Sequence, residues 1–469
     1  MSDRDSKIAD DKRKVQELIN TEEVVKIACD LVDIPSPTGS EKQCADYIID
    51  RYKAAGIKVL PQVFEDGRSN AIGLMKGSGE GPTLMLNGHM DTSFVGDRSG
   101  PEEHMPDSPG FLPKAVIDGD WIYGLGVYNM KASLAAFIHA AECIKRAGIE
   151  LSGDLLIACV AGEIEKSQVD KYQGKQFRGG ACGTWYAITH GAVADLAVVG
   201  EPSALTLGRA HGGYVWTKIT LFGDPMHSAY GTPEKNTINN MLKIANAIQD
   251  WGNEYQDRRS VYGMKANVTL SAMEGGWPFR CSRVPIFCNL YIDTRLLPGH
   301  QPLEVRREIE QVVEDLRAKD KDLAALRYDI TMFMNQWASE CSPEEIIWKA
   351  VARSHEEVFK APVEISARPP ASDAGELVAH GIPALNYGVS GRTRKRSSGQ
   401  RQYGKTDWIP SEGEHASITD LVQGTRVYAN LILDVCNRTR QELGLHGTGH
   451  GRISLGGSAK PIFRGDGGR

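Results

Sequence analysis

Apolar residues in this chain recur at two spacings, and the alternation between them lays out an architecture. "EEVVKIACDLVD" (22–33) has helical spacing and stops ahead of the Pro/Ser/Gly turn "IPSPTGSE". "SEKQCADYIIDRYKAAG" predicts a second amphipathic helix, with Ser40 as its N-cap and Gly56 as its stop. "PTLMLNGHMD", "GDLLIACVAGE" and "ADLAVVGEP" are continuous apolar runs, the pattern of strands buried on both faces, and the first is expected to break at Gly88. The Ala-rich helical stretch "KASLAAFIHAAECIKRAG" lies between the first two. Strands alternating with helices predict an α/β layered sheet.

The texture changes near residue 206. "YVWTKITLFG" alternates as a half-exposed strand, "NTINNMLKIANAIQDWG" is helical, and "ANVTLSAM" and "PIFCNLYIDTRLLPG" are strands. "PLEVRREIEQVVEDLRA" is an amphipathic helix and "RYDITMFM" a last strand. The order strand–helix–strand–strand–helix–strand predicts a small α+β domain of ferredoxin-like type. The α/β pattern resumes after about residue 336 with "EEIIWKAVARSHEEVF" and "IPALNYGV". The small domain, 206–334, therefore reads as an insertion into a larger one made of 1–205 and 335–469.

Composition agrees with two domains, since 469 residues exceed one ordinary domain. A formal net charge of −6 and a pI near 6.1 leave no basic footprint for nucleic acid or a membrane surface. There is no apolar run of bilayer length, and "MSDRDSKIADDKRKVQELIN" lacks the apolar core of a secretory signal. Nine cysteines are dispersed without a CxxC pair, as expected of reduced thiols in a cytoplasm. The expectation is a cytoplasmic protein with no nucleic-acid or membrane partner.

Polar residues gather where the predicted strands end. "NGHMDT" presents His89 and Asp91, and "WIYGLGVYNMKASLAA" places Asn129, Met130 and Lys131 just before a helix. "VAGEIEK" supplies Glu163 and Glu165, "VVGEPS" supplies Glu201, and "SEGEHASITD" supplies Glu414 and His415. Ligand sites of open α/β sheets lie at the carboxyl ends of strands. Histidines and carboxylates converging there suit a divalent metal such as zinc. The Asp91 side chain is expected to accept a hydrogen bond from the second ring nitrogen of His89 and so fix its tautomer.

With these motifs in order, the chain resembles the M20 family of metallopeptidases and amidohydrolases, which includes aminoacylases, acetylornithine deacetylases and succinyl-diaminopimelate desuccinylases. "NGHMDT" is similar to the family's GHxD, "VGEPS" to its GEPT, and "GDPMHSAYGTPEKNTI" to its GxxAHSAxPxxGxNAI. "YIDTRLLPG" matches D-x-R-x-x-PG, and the likeness spans roughly residues 20 to 440. It implies a metallopeptidase-type catalytic domain with an inserted ferredoxin-like lid and dimerisation domain. It also implies a homodimer that acts on a small-molecule substrate. One ion would take His89 and Glu201, and another His415 and one acid of the glutamate pair, with position 129 bridging. Glu163 would be the general base, and His227 of the insert would stabilise the developing oxyanion, often across a dimer interface.

The chain departs from that pattern in places. Asn129 stands where the family has an aspartate, and a neutral amide oxygen is a weaker ligand than a carboxylate. The second acid of the pair is Ile164, which cannot bind metal; Glu165, one residue on, is expected to substitute if the backbone turns there. One or two ions per chain are both compatible with these changes, zinc being expected ahead of manganese or cobalt. Arg295 is a candidate for a substrate carboxylate or, equally, a structural partner of Asp293. Asn236 is a candidate substrate contact, Asp373 a loop-orienting residue, and Lys131 a cap or a local pair. Of Glu412 and Glu414, at most one is expected to act. The basic stretch "SGRTRKRSSGQRQYGK" (390–405) reads as a solvated loop or a flap over an anionic group. The expected reaction is metal-assisted hydrolysis of a C–N bond in an N-acyl amino acid or short peptide. An aryl amine or xenobiotic amide is the less usual substrate, and a non-catalytic ligand-binding relative is the competing class.

Overall fold

The computed structural model describes residues 3–258, 260–392 and 413–445. Most of the basic stretch (393–405) and Glu412 lie outside the described residues. The long apolar runs do form strands at the middle of a large sheet. Leu84–His89 lies between Leu155–Val160 and Leu196–Val199 and is parallel to both. Every residue of these strands is buried, which is why they read as unbroken apolar runs rather than alternating ones. Among the described residues nine strands form this sheet, with an antiparallel hairpin, Lys58–Glu65 and Arg68–Met75, at one edge. Pro61 inside the outer hairpin strand hides it from pattern reading, because proline is tolerated only where a strand has a free edge.

Helices cover the sheet. Ala132–Arg146 is buried along nearly its whole length and packs against Ile418–Cys436, so an Ala-rich sequence serves close helix–helix contact. Gly88 does not break its strand, which continues through His89. A β-carbon at Gly88 would stand 2.4 Å from the Met130 side chain and 2.7 Å from Leu134, so the glycine lets this helix approach the sheet. The second helix spans Lys42–Ala54 with Glu41, not Ser40, at its N-cap. Gly56 lies just past its end in the left-handed region, at φ +68°.

The chain leaves the large sheet after Leu207–His211 and enters a four-stranded antiparallel sheet with Gly213–Phe222. The order along that sheet is Val268–Gly275, Phe287–Leu296, Gly213–Phe222, Arg327–Gln336. The helices Thr237–Arg258 and Pro302–Lys319 connect its strands in the expected ferredoxin-like order. Its apolar core, around Ile219, Met241, Ile248, Leu290 and Ile309, is separate from that of the large sheet. The chain returns at Ser339–Glu340, which pairs with Leu207–His211. Among the described residues no helix is long and apolar enough to cross a membrane.

Candidate metal-dependent active site

Register decides which side chains meet. His89 is opposite Val160 on one neighbouring strand, and Asn87 is opposite Val199 on the other. His89 therefore ends its strand, while Glu163 and Glu201 follow shortly after the ends of strands that stop at the same edge. Among the described residues, His89, Glu163 and Glu201 are the one set of His, Cys, Asp or Glu whose ligand atoms gather within 4.8 Å of one another.

The His89 ring is buried, and its Nδ1 lies 3.0 Å from the carbonyl oxygen of Asp91. A carbonyl can only accept, so in the neutral ring Nδ1 carries the proton, and the Nε2 lone pair faces oxygen atoms that are acceptors too, an arrangement that a cation between them completes. Around Nε2 stand Asn129 Oδ1 at 3.0 Å, Glu201 Oε1 at 3.5 Å and Glu163 Oε2 at 3.6 Å. Burial pushes the His89 pKa below its ordinary value, which keeps the ring neutral and its lone pair available. Burial, reinforced by the neighbouring carboxylates, pushes Glu163 and Glu201 well above the ordinary carboxylate range. Glu201 Oε1 is buried with no hydrogen-bond partner. A neutral imidazole nitrogen, an orphaned carboxylate oxygen and crowded buried acids form a donor set that fits a divalent cation, which supplies the missing positive charge.

Asp91 acts differently from the sequence expectation. Its carboxylate is 3.6 Å from His89 Nδ1, and the backbone carbonyl of the same residue fixes the tautomer. The carboxylate instead accepts from the backbone N–H of Glu163 (3.0 Å), from that of Ile164 (3.2 Å) and from the Thr38 hydroxyl (2.9 Å). It thus holds the turn that presents Glu163. Gly162, at φ +69°, opens that turn, where a β-carbon would strike the Arg68 guanidinium. Asp91→Asn keeps the shape but leaves one N–H without an acceptor. Hydrolytic kcat/KM at saturating metal is expected to fall about 10- to 100-fold. A variant within twofold of the parent would mean that the turn is held by other groups.

Asn129 lies in the short turn Val127–Lys131, where its own backbone is extended rather than helical, at φ −125° and ψ 91°. Glu414 fastens that turn by accepting from the N–H groups of Asn129 (3.1 Å) and Tyr128 (3.2 Å), and burial pushes its own pKa up to about 7. Lys131 Nζ donates to the carbonyls of Leu31 (2.8 Å) and Ile34 (3.0 Å), partners about a hundred residues away rather than the local one expected for it.

The remaining candidates stand apart from the cluster. Both Glu165 oxygens lie 2.7 Å from the Arg295 guanidinium, whose Nε donates to Asp293 at 2.8 Å. Arg295 lines the cavity beside the cluster but is already held by two carboxylates. The buried His415 ring packs 5.2 Å from Trp121 and 5.3 Å from Tyr123, with Nδ1 3.0 Å from the Gly413 carbonyl. His227 is exposed, and its Nδ1 accepts from the Ala229 N–H. The Asn236 side chain accepts from the N–H groups of Ile238 and Asn239, capping the helix that follows. Neither His227 nor Asn236 lines the cavity at the cluster.

That cavity measures about 540 Å³. Glu163, Glu201 and Asn129 face it from the large domain, and Arg295, Asn267 and Lys265 face it from the insert. One contributor escapes sequence reading, and another is underrated by it. Arg368 donates to the Pro202 carbonyl at 2.7 Å, and its charge restrains the rise at Glu201. It ends the strand Ile365–Arg368, so the strand-end rule that picks out His89 applies to it as well. Asp373 is more than a loop-orienting residue: it is buried beside the cluster, its charge bears on Glu163 and Glu201, and burial pushes its pKa up to about 8.

Comparison with known proteins gives the chain a family. The profile of peptidase family M20/M25/M40 matches residues 85–434. An N-formyl-4-amino-5-aminomethyl-2-methylpyrimidine deformylase of Bacillus subtilis is 25% identical over 93% of this chain and 100% of its own. A succinyl-diaminopimelate desuccinylase of Corynebacterium glutamicum is 26% identical over 76% of this chain and 86% of its own. Among solved structures, a Staphylococcus aureus tripeptidase is similar at a TM-score of 0.66 and 17% identity, covering 90% of this chain and 100% of that one. A dinuclear metal-binding peptidase of Bacillus subtilis is similar at 0.60 and 13% identity, covering 89% and 98%.

Proposed function

We propose, from the premise that the chain belongs to peptidase family M20/M25/M40 and is a metal-binding hydrolase of that family, that it cleaves the amide bond of a small N-acylated amine. N-formyl and N-succinyl compounds, N-acyl amino acids and short peptides are the substrate class. One observation carries this reading: two buried carboxylates, one with an orphaned oxygen, line a cavity of small-molecule size and meet a neutral imidazole nitrogen behind them. Two relatives that match over most of their length are named for removing a formyl or a succinyl group from nitrogen.

His89 and Glu201 are the proposed ligands of a divalent ion, zinc first and manganese or cobalt as alternatives, with Asn129 Oδ1 beside them. When bound, the ion supplies Lewis-acid chemistry: it polarises the amide carbonyl and makes water easier to deprotonate. Glu163 takes the proton of the attacking water and delivers it to the leaving nitrogen. Asp91 keeps the Glu163 backbone in place for both transfers. His227 is proposed to stabilise the oxyanion of a second copy in a homodimer. Its exposure, and its absence from the cavity of its own chain, support that role. The apolar wall of Ile164, Pro369, Pro370 and Ala371 favours a second reading, in which the substrate carries an aryl group next to the scissile C–N bond.

The test is turnover of a panel by metal-loaded protein: N-formyl, N-acetyl and N-succinyl amines and amino acids, dipeptides, and anilides. Release of amine from an aliphatic N-acyl compound is the expected result. Turnover of anilides alone would transfer the assignment to the aryl reading. No turnover of any member would leave a ligand-binding relative.

A further inference from the structure

The family's pattern, as the sequence implies it, has two ions sharing a bridging carboxylate. We infer that this chain holds a single divalent ion, seated at His89 and Glu201, and that the place of a second ion has been dismantled by two separate features. This rests on the metal-dependent reading above.

The bridge is the first feature. Asn129 presents a neutral oxygen 3.0 Å from His89 Nε2, so two cations placed close together would lack the shared negative charge that offsets their repulsion. The second is the missing acid. Ile164 occupies the position after the base and contributes an apolar side chain to the cavity wall. Glu165 does not replace it, because Arg295 grips both its oxygens at 2.7 Å in a bidentate pair. Asp293 holds Arg295 from the other side, so moving Glu165 toward a metal would break a charge network that joins the insert to the large domain. The first ion's place shows the opposite character: Glu201 Oε1 is buried and unpartnered and stands 3.5 Å from the lone pair of His89.

The experiment is metal counting on the full chain, stripped with chelator, reloaded with excess manganese and desalted. It is read by elemental analysis and by electron paramagnetic resonance. Wild type is expected to hold one ion per chain with the six-line spectrum of an isolated ion. The Asn129→Asp/Ile164→Glu double variant is expected to hold two, with an exchange-coupled spectrum. Two ions in the wild type would overturn the inference and leave the hydrolase reading intact. One ion in both proteins would overturn the assignment of these residues as the cause. No ion in either would sink the metal-dependent reading itself. Since the wild-type count decides the main point, a double variant that fails to fold does not blunt the test.

Discussion

Glu163→Gln is expected to lower kcat by about 10²- to 10⁴-fold, the usual contribution of a positioned general base. Glutamine has the length and planarity of glutamate but does not accept a proton in this pH range. The turn that carries residue 163 is held through its backbone, by Asp91 Oδ1 at 3.0 Å, so the substitution leaves the scaffold in place. Metal content and the affinity for an unreactive substrate analogue are therefore expected to stay near wild type while turnover collapses. This split is what separates loss of the base from loss of the site. A variant that retains more than about a third of wild-type kcat would give the proton transfer to another group, and the buried Asp373 would be the next to test.

The second large effect is expected at His89. In His89→Ala, Glu201 and Glu163 remain as two buried acids without the nitrogen that faces them. Substitution of an outer partner of a metal ligand costs about 10- to 100-fold in metal affinity or activity, and loss of a ligand is expected to exceed about 100-fold. Calorimetric titration with metal measures it directly. Thermal unfolding offers an independent reading. An ion present at 1,000 times its Kd stabilises the native state by about 4 kcal/mol, so wild type is expected to melt higher with metal added and the variant is not. An equal metal-induced rise in both proteins would place the ion elsewhere.

These predictions rest on parts of the site that differ in how readily the chain displays them. His89 and Glu201 are visible because an apolar run ending in a polar residue is a local signal, and parallel strands bring their ends to one edge as a matter of topology. The ferredoxin-like order of the insert is visible for the same reason, since each of its elements carries its own period. The hairpin of Lys58–Glu65 and Arg68–Met75 is harder to see because Pro61 interrupts the strand pattern. The short sheet that pairs His415–Ser417 with Trp121–Tyr123 has strands too brief to show any period.

The sequence by itself determined the element order, the ferredoxin-like run set between two stretches of the larger sheet, and the polar residues at the strand ends. All of these are properties of neighbours along the chain. Tertiary structure alone decided the partners. Arg295 lies 130 residues from Glu165 and holds both its carboxylate oxygens. The Asp91 carbonyl, not its side chain, orients His89, while the side chain turns to the Glu163 backbone. His227 stands exposed away from its own cavity, and Asn236 caps a helix. The physical reason is the same in each case. A side chain's residue type states which bonds it is able to make, but which bond it does make depends on the donor or acceptor that folding places within about 3 Å of it.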